Sequence, residues 1–472
     1  MQCWCNSRYC SIKEVRMSKK SLFTLALVML TVIALVVAPV AAQDRVVVTW
    51  FVGLGTGTNE QQIEVQQQVV EQFNASQDEI TLELILAASN QVAPDTLSTL
   101  IAGGTPPDIV GPVGFSGANL FSGQWLDLQP LVDAAGYDLS QYPENLVSLY
   151  RTQEGLLGIP FAVFPSLMFY NADLFDEAGL PYPPAEFGAP YVWDDGTEAE
   201  WNWDTVRELA MILTVDANGN DATMEEFDPS AITQFGFIHQ WGTIRTDMST
   251  FGGAYFWDPE TGRVSIPDHW RANLEWTWNG LWNDHFIANT TYENSQLFTP
   301  TAFSSGRVAM SRVPLWYTCC IGALEANWDI AVVPSYNGEY HSPTDADTFR
   351  ILASTDTPTE AFTVLSYLQG EAAGPLLTVY GAHPALESLQ EQAIADKAAQ
   401  FPSVQNWHII APSLEHAAVP NHEYDFPNFA RGQQRFSDFR TLLYGDTGAT
   451  IDLQAEIDRL EADLQALVDE AS

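Results

Sequence analysis

The chain has 472 residues, of which 46% are hydrophobic, and this is enough apolar material for a large core, so the composition excludes global disorder. Lys and Arg number 19 against 60 Asp and Glu, a net charge of −41. A nucleic-acid partner requires basic surface, so this balance argues against nucleic acid and disfavours anionic ligands, while neutral and cationic ligands remain.

The N-terminal segment has the pattern of an export signal. Lys19 and Lys20 precede an apolar run over residues 22–40, and Ala41-Ala42 follows it. A basic start, an apolar middle and small residues at the end are the three parts of a secretory signal peptide, which is therefore predicted within residues 1–42. Met17 is a better start for this signal than Met1. An uncleaved membrane anchor is the alternative, because the run is nearly long enough to span a bilayer. The protein is expected to be exported, to a periplasm or to the extracellular cell surface.

Strand and helix patterns alternate after the export signal. The predicted order is strand, helix, strand, helix, strand, at Val46–Val52, 60–74, Ile80–Leu86, 95–102 and from Ile109 onward. Thr58 or Asn59 is the expected cap of the first helix. The alternation predicts an α/β layer with a mostly parallel sheet. Ligands of such sheets bind where strands end, so the loops at 53–59 and 111–117 are expected to form walls of a site.

Later segments follow the same pattern. Residues 181–203 are rich in Pro, Gly, Asp and Glu and are expected to be an insertion. A helix is predicted over residues 205–213, behind Asp204 as its cap. Apolar residues at helical spacing predict an amphipathic C-terminal helix over residues 451–468 that docks on the rest of the protein.

Five sequence blocks carry a family resemblance. They are Ala-Gly-Gly-Thr-Pro-Pro-Asp-Ile-Val within 100–110, Gly-Gln-Trp-Leu-Asp-Leu at 123–128, Gly-Ile-Pro-Phe and Tyr-Asn-Ala-Asp-Leu-Phe within 158–175, Phe-Ser-Ser-Gly-Arg-Val-Ala-Met at 303–310, and Trp-Asp-Ile-Ala-Val-Val-Pro at 328–334. In this order they resemble the signature blocks of the family 1 extracellular solute-binding proteins, the sugar-binding components of ABC importers. The resemblance extends over roughly residues 46–470.

The resemblance implies a periplasmic-binding-protein fold of type II. Each of two α/β lobes would hold a mixed sheet flanked by helices, with a hinge that the chain crosses near 160–171, 333–337 and 381–386. The N-terminal lobe would comprise 43–160 plus 336–384, and the C-terminal lobe 170–333 plus 386–472. The expected function is capture of a sugar or oligosaccharide by hinged lobe closure and delivery to the transmembrane permease subunits, by a monomer without cofactor or catalytic residues.

Aromatic residues are the leading candidates for a sugar site, because sugar rings present apolar C–H faces beside polar hydroxyls. Trp316 and Tyr317 follow a predicted strand, at the place where the resembling family carries a stacking Trp. Trp241 follows another predicted strand end. The remaining candidates lie on predicted hinge segments, turns or loops: Asn59, Phe164, Ser166, Gly252, Gly253, His383 and Phe429. His383 is open to a second interpretation, a structural histidine with satisfied hydrogen bonds.

Two local features have competing interpretations. Adjacent Cys319 and Cys320 either form a vicinal disulfide or pack as two buried thiols, and the thiols are the preferred prediction. Asp216-Ala217-Asn218-Gly219-Asn220-Asp221 resembles the start of a calcium loop but lacks the Gly and Glu that such loops need, so a surface turn without metal is predicted.

Two other functions stay open at this point. A polyamine or other cationic ligand suits the acidic charge, and a cleft with several carboxylates around aromatic rings would favour it. A secreted glycoside hydrolase would need two carboxylates that face one another across a cleft. The sequence has no G-x-S-x-G, HExxH or Walker motif.

Overall fold

The computed structural model describes residues 45–471, so the predicted signal peptide at 1–42 and the last residue lie outside the described residues. Eighteen strands are numbered here in chain order. They are β1 (Val46–Val52), β2 (Ile80–Leu86), β3 (Ile109–Gly114), β4 (Arg151–Thr152), β5 (Gly155–Leu156), β6 (Ile159–Asn171), β7 (Tyr191–Val192), β8 (Glu198–Ala199), β9 (Val215–Asp216), β10 (Ile232–His239), β11 (Trp257–Asp258), β12 (Arg263–Val264), β13 (Val308–Pro314), β14 (Trp328–Ala331), β15 (Ser335–Tyr336), β16 (Glu339–Tyr340), β17 (Thr344–Ile351) and β18 (His383–Pro384).

The α-helices of the described residues are numbered in the same way. They are α1 (Glu60–Ser76), α2 (Ala93–Ala102), α3 (Phe115–Asn119), α4 (Gln129–Ala135), α5 (Glu144–Ser148), α6 (Ala172–Ala178), α7 (Trp203–Ile212), α8 (Ile244–Met248), α9 (Asp268–Trp282), α10 (Thr290–Glu293), α11 (Pro358–Gln369), α12 (Ala373–Tyr380), α13 (Glu387–Gln400), α14 (Ile410–Glu415), α15 (Phe429–Tyr444) and α16 (Leu453–Ala471). None of the helices found in residues 45–471 combines the length and apolarity that a membrane crossing requires.

The main sheet has ten strands in the order β2-β1-β3-β17-β6-β13-β10-β9, with β14 and β18 also paired to β6. The β1–β3 and β10–β13 pairs are parallel, as the alternation of strands and helices predicts. Strand β6 runs antiparallel to β17, β13, β14 and β18, so the sheet is mixed, as the family resemblance implies.

Strand β6 joins the two halves of this sheet. Its first half pairs with β17 and β18, where Phe164 lies opposite Asp345. Its second half pairs with β13 and β14, where Tyr170 lies opposite Met310 and Asp329. All 13 residues of β6 are buried, and all but Ser166 and Asn171 are apolar or aromatic, as a strand covered on both faces needs.

Helix ends follow the local sequence. Asn59 caps α1, because its side chain accepts a hydrogen bond from the Gln62 amide. The predicted cap of α7 is wrong by two residues: Asn202, not Asp204, accepts from the amides of Asp204 and Thr205, and the helix begins at Trp203.

The predicted C-terminal helix is present as α16. It buries Ile457, Leu460 and Leu464 and packs against α15 and β12. Arg271 of α9 holds it in place, since its guanidinium donates to Asp458 and to Glu461 at 2.8 Å each.

Candidate functional site

A cavity of about 750 Å³ lies where the two halves of the sheet meet at β6. This volume lies within the range of small-molecule sites. One wall comes from the loop after β1, the start of α3, the strand β17 and the end of α12. The other wall comes from Trp241 and from the 3-10 helix Leu315–Cys319, and Glu423 lines the cavity beside Ser116 at the start of α3. The loop at 53–59 therefore lines a cavity, as the position of the strand end predicts.

Two tryptophans form a flat aromatic surface in this cavity, called here the Trp ledge and made of Trp241 and Trp316. Strands β10 and β13 are parallel, with His239 opposite Arg312, so their carboxyl ends lie side by side. Trp241 follows the first strand and Trp316 follows the second. Their rings stack with centroids 5.2 Å apart and planes 9° apart. The Trp241 residue is 41% exposed, which leaves ring surface free for a ligand.

A buried ionic network fixes the strand ends beneath the Trp ledge. Arg312, fully buried, donates from Nε to His239 Nδ1 at 3.2 Å and from Nη2 to the Asp247 carboxylate. Burial and the neighbouring Arg312 hold the pKa of His239 well below its usual value, so the imidazole is neutral and accepts. A β-carbon on Gly242 would lie 2.7 Å from Arg312 Nη2, so a larger residue there would have to displace the Arg312 guanidinium from this network.

Tyr317 supports the ledge from behind and does not line the cavity. It is fully buried, with its ring edge-on to Trp241 at 4.9 Å between centroids. Its hydroxyl contacts Thr301 Oγ1 at 2.9 Å and Ser304 Oγ. The sequence could not separate Trp316 from Tyr317, because in this turn of 3-10 helix the one side chain faces the cavity and the other the core.

The predicted buried thiols are wrong, because Cys319 and Cys320 are joined in a vicinal disulfide. Both residues are exposed and line the cavity beside Trp316. Behind them Lys397 Nζ donates to Thr318 Oγ1 at 3.2 Å and to the Gly381 carbonyl at 3.1 Å. Burial lowers the pKa of Lys397 to about 8. The lysine thus connects the disulfide segment to the wall at the end of α12.

Three carboxylates line the cavity and are called here the carboxylate group: Asp345, Asp347 and Glu423. Asp345 Oδ1 lies 3.1 Å from His422 Nε2, and Glu423 Oε2 accepts from the Ser116 amide at 3.3 Å. Burial, and then the charges of Asp345 and Glu423, raise the pKa of Asp347 to about 7. Burial and the Asp345 charge also raise the pKa of Glu423.

None of the three carboxylates was among the site residues predicted from the sequence. Asp345 and Asp347 stand two residues apart in β17, so both project from one face of the strand. That spacing within Thr-Asp-Ala-Asp-Thr-Phe is a detectable signal, since a central strand seldom carries two acids on one face. Glu423 follows no such pattern, because it reaches the cavity from a loop far along the chain.

Two groups of acids resemble cation sites. Asp345, His422 and Glu423 hold their ligand atoms within 4.8 Å of one another, a set that suits a divalent cation. Asp216 in the loop resembling a calcium site instead accepts from the backbone amides of Asn218, Asn220 and Asp228. Although burial opposes it, these bonds lower the pKa of Asp216 to about 2, which is the expected chemistry of a turn.

The cavity brings together four of the residues predicted from sequence: Asn59, Phe164, Trp241 and Trp316. The others lie outside its lining. Ser166, His383 and Phe429 are buried, and burial followed by the Lys397 charge lowers the pKa of His383 to about 4. His383 is a buried residue of β18, as the structural interpretation expects, but neither of its ring nitrogens has a hydrogen-bond partner among the described residues, so the expected satisfied hydrogen bonds are not found.

The predicted glycine pair packs against other parts of the chain. A β-carbon on Gly252 would lie 3.1 Å from the His269 ring, and one on Gly253 would lie 2.5 Å from the backbone of Val419. Close packing explains both glycines without a ligand.

Comparison with known proteins gives one family and one fold. A model of the bacterial extracellular solute-binding protein family matches residues 59–375. No curated protein sequence shows significant similarity to the chain.

Several solved structures share the architecture. The ABC substrate-binding protein Lmo0181 from Listeria monocytogenes in complex with cycloalternan is 17% identical, with a TM-score of 0.68 over 90% of this chain and 99% of that chain. UspC from M. tuberculosis is 20% identical, with a TM-score of 0.66 over 90% of this chain and 100% of that chain. The sugar-binding protein MalE from Xanthomonas citri is 16% identical, with a TM-score of 0.66 over 90% and 98%. At this identity the likeness shows the fold, a two-lobed α/β architecture.

Proposed function

The chain belongs to the bacterial extracellular solute-binding proteins, and on that premise we propose that it captures a sugar or oligosaccharide for an ABC importer. The observation that carries this proposal is the Trp ledge, a stacked and partly exposed aromatic surface in a cavity with polar walls. Indole faces bind the C–H faces of sugar rings, while Asn59 and the carboxylate group offer partners to hydroxyls. Structural relatives are in complex with cycloalternan or are named as sugar-binding.

Capture proceeds by closure of two lobes about a hinge. The proposed lobes are residues 43–160 plus 336–384 and residues 170–333 plus 386–472, with hinge segments near 160–171, 333–337 and 381–386. The pairing of β6 supports this division, because its two halves belong to different halves of the sheet. The Trp ledge lies on the C-terminal lobe, and Asn59 and β17 lie on the N-terminal lobe. A ligand that contacts both walls stabilises the closed state by its differential affinity.

The partners follow from this role. The family is extracellular, and the closed protein would deliver its solute to the transmembrane permease subunits as a monomer. No catalytic step is proposed. Chromogenic glycosides should be released no faster in its presence than in buffer, and turnover would favour the glycoside hydrolase alternative instead.

A binding experiment tests the proposal. Residues 43–472 are titrated with mono- and oligosaccharides by calorimetry, after unfolding and refolding to remove solute retained from expression. A sugar that binds should lose at least about tenfold in affinity with Trp316→Ala, the cost of one aromatic contact. Tyr182→Ala, which removes a 46% exposed aromatic residue that does not line the cavity, should leave affinity unchanged. No binding of any saccharide would contradict the proposal.

A further inference from the structure

The charge of the cavity lining is one-sided. It includes the carboxylate group, while Lys, Arg and His contribute no side chain to it among the described residues. A net charge of −41 makes acids common on the surface of this chain, but a binding cavity is a costly place for unpaired ones. Among the described residues, Asp345 alone of the three has an ion-pair partner, His422, which lies outside the lining.

The carboxylates also converge on one spot. The position that a β-carbon would take on Gly114 lies 3.1 Å from Asp347 Oδ1 and 3.9 Å from Glu423 Oε2. Asp345 and Glu423 come close enough to share a cation with His422. Within residues 45–471 the side chain of Asp347 has no hydrogen bond or ion pair, and the charges that act on it are those of Asp345 and Glu423. Its oxygens line the cavity with open acceptor sites.

We infer that the solute is a saccharide with a protonated amine, its ring on the Trp ledge and its ammonium among Asp345, Asp347 and Glu423. This inference rests on the proposed function and deepens it. An ammonium has three N–H donors and no acceptor, so it matches carboxylate oxygens that accept few hydrogen bonds from the protein. The positive charge of the ammonium also offsets the negative charge of the carboxylates, which a neutral sugar hydroxyl cannot do. The Trp ledge requires a ring as well, so an open-chain polyamine leaves half of the cavity unused.

Matched sugar pairs test the amine directly. Glucosamine is compared with N-acetylglucosamine, galactosamine with N-acetylgalactosamine, and the glucosamine trisaccharide with its fully N-acetylated form, by calorimetry at pH 7.5 on residues 43–472. Each pair shares one skeleton and differs in the charged amine. For a pair that binds, the amine should bind at least about tenfold more tightly, the effect of one charge-assisted hydrogen bond.

Variants assign the effect to the cavity. Asp347→Asn should reduce the preference for the amine to within about threefold, whereas Glu71→Gln, which removes an exposed acid on α1, should leave it intact. Trp316→Ala should weaken both members of a pair equally. Thermal unfolding of each variant checks that it is folded.

Each outcome has one meaning. An N-acetylated or neutral sugar that binds as tightly as its amine overturns the inference and leaves the proposed function standing. Binding of spermidine without any saccharide overturns both. Binding that requires added Ca²⁺ or Zn²⁺ and is lost with chelator assigns the carboxylate group to a metal and overturns the amine. If none of the amine-bearing sugars binds, the inference of an amino sugar is also overturned.

Discussion

Trp241 adopts a strained backbone conformation in the cavity wall that we propose as the solute site. Its φ of 57° lies in the left-handed region, which residues other than glycine adopt rarely. The following Gly242 passes over Arg312, and this path turns the indole onto Trp316 instead of into the core. Strain at a cavity wall is accepted where function requires a fixed orientation.

Asp347 should make the stability of the protein depend on pH. Its pKa is raised by burial and by the Asp345 and Glu423 charges to about 7 in the folded state, against about 4 in the unfolded chain. The folded state therefore binds this proton more tightly, and its stability falls as pH rises from about 4 to about 7. Asp347→Asn removes the free-energy cost of ionising this carboxyl in the folded state. The variant should therefore be more stable than the parent by about 1–3 kcal/mol at pH 8 and no more stable at pH 4.

Urea unfolding at the two pH values measures this difference. Glu71→Gln serves as the control because that side chain is exposed on α1. An Asp347→Asn variant that matches the parent at pH 8 would show that the carboxylate carries no such penalty.

At the scale of elements, the Arg312 network ties β10, β13 and α8 together. Arg312 and Asp247 have side-chain exposures of 0% and 1%. Asp247→Ala leaves a buried guanidinium without its counter-charge, so the free energy of unfolding should fall by about 3–5 kcal/mol. Asp438→Ala breaks an exposed pair with Arg435 on α15 and should cost less than about 1 kcal/mol. Equal costs in a denaturant titration would contradict this contrast.

The 3-10 helix Leu315–Cys319 carries the disulfide and Trp316 on one short turn. A bond between adjacent residues closes almost no loop, so by chain entropy it stabilises the fold by only about 1 kcal/mol. Its removal should instead loosen the cavity wall. Cys319→Ser with Cys320→Ser should keep its melting temperature nearly unchanged and lose affinity for the solute.

Reductant gives the matched control for the disulfide. It should weaken binding by the parent protein and change nothing in the double serine variant. Unchanged affinity of the reduced parent would show that the bond has no part in binding.

For the whole molecule, closure is the measurable consequence of the two proposed lobes on either side of the cavity. A bound solute should lower the radius of gyration in small-angle X-ray scattering, because the closed state is the more compact one. Trp241→Ala with Trp316→Ala should show no change at the same solute concentration. A ligand that binds without any compaction would contradict hinged capture.

Much of the fold could be predicted from the sequence because its signals are local. The apolar run of β1, the cap at Asn59 and the periodicity of α16 each specify an element within a few residues. The antiparallel course of β6 could not be predicted, since it depends on pairing with strands more than a hundred residues away. The cap of α7 could not be predicted either, because the side chains of Asn202 and Asp204 can both accept hydrogen bonds from the first amides of a helix.

The candidate site could be predicted only in part for a related reason. Tryptophans that follow predicted strands can be recognised in a sequence, so Trp241 and Trp316 could be predicted as site residues. The spacing of Asp345 and Asp347 on one strand is a signal in the sequence, but only the fold brings Glu423 to them, and in a chain with 60 acidic residues Glu423 does not stand out. Ser166 and His383 occupy the right strands, but their side chains face the interior.

The Trp ledge also gives the protein an optical property. Two indoles nearly parallel at 5.2 Å couple their electronic transitions, and their near-ultraviolet circular dichroism reports the geometry of the pair. A solute that lies against either ring changes the surroundings of both chromophores at once. Occupancy of the cavity can therefore be read as a spectrum, without a label and without knowledge of which solute is bound.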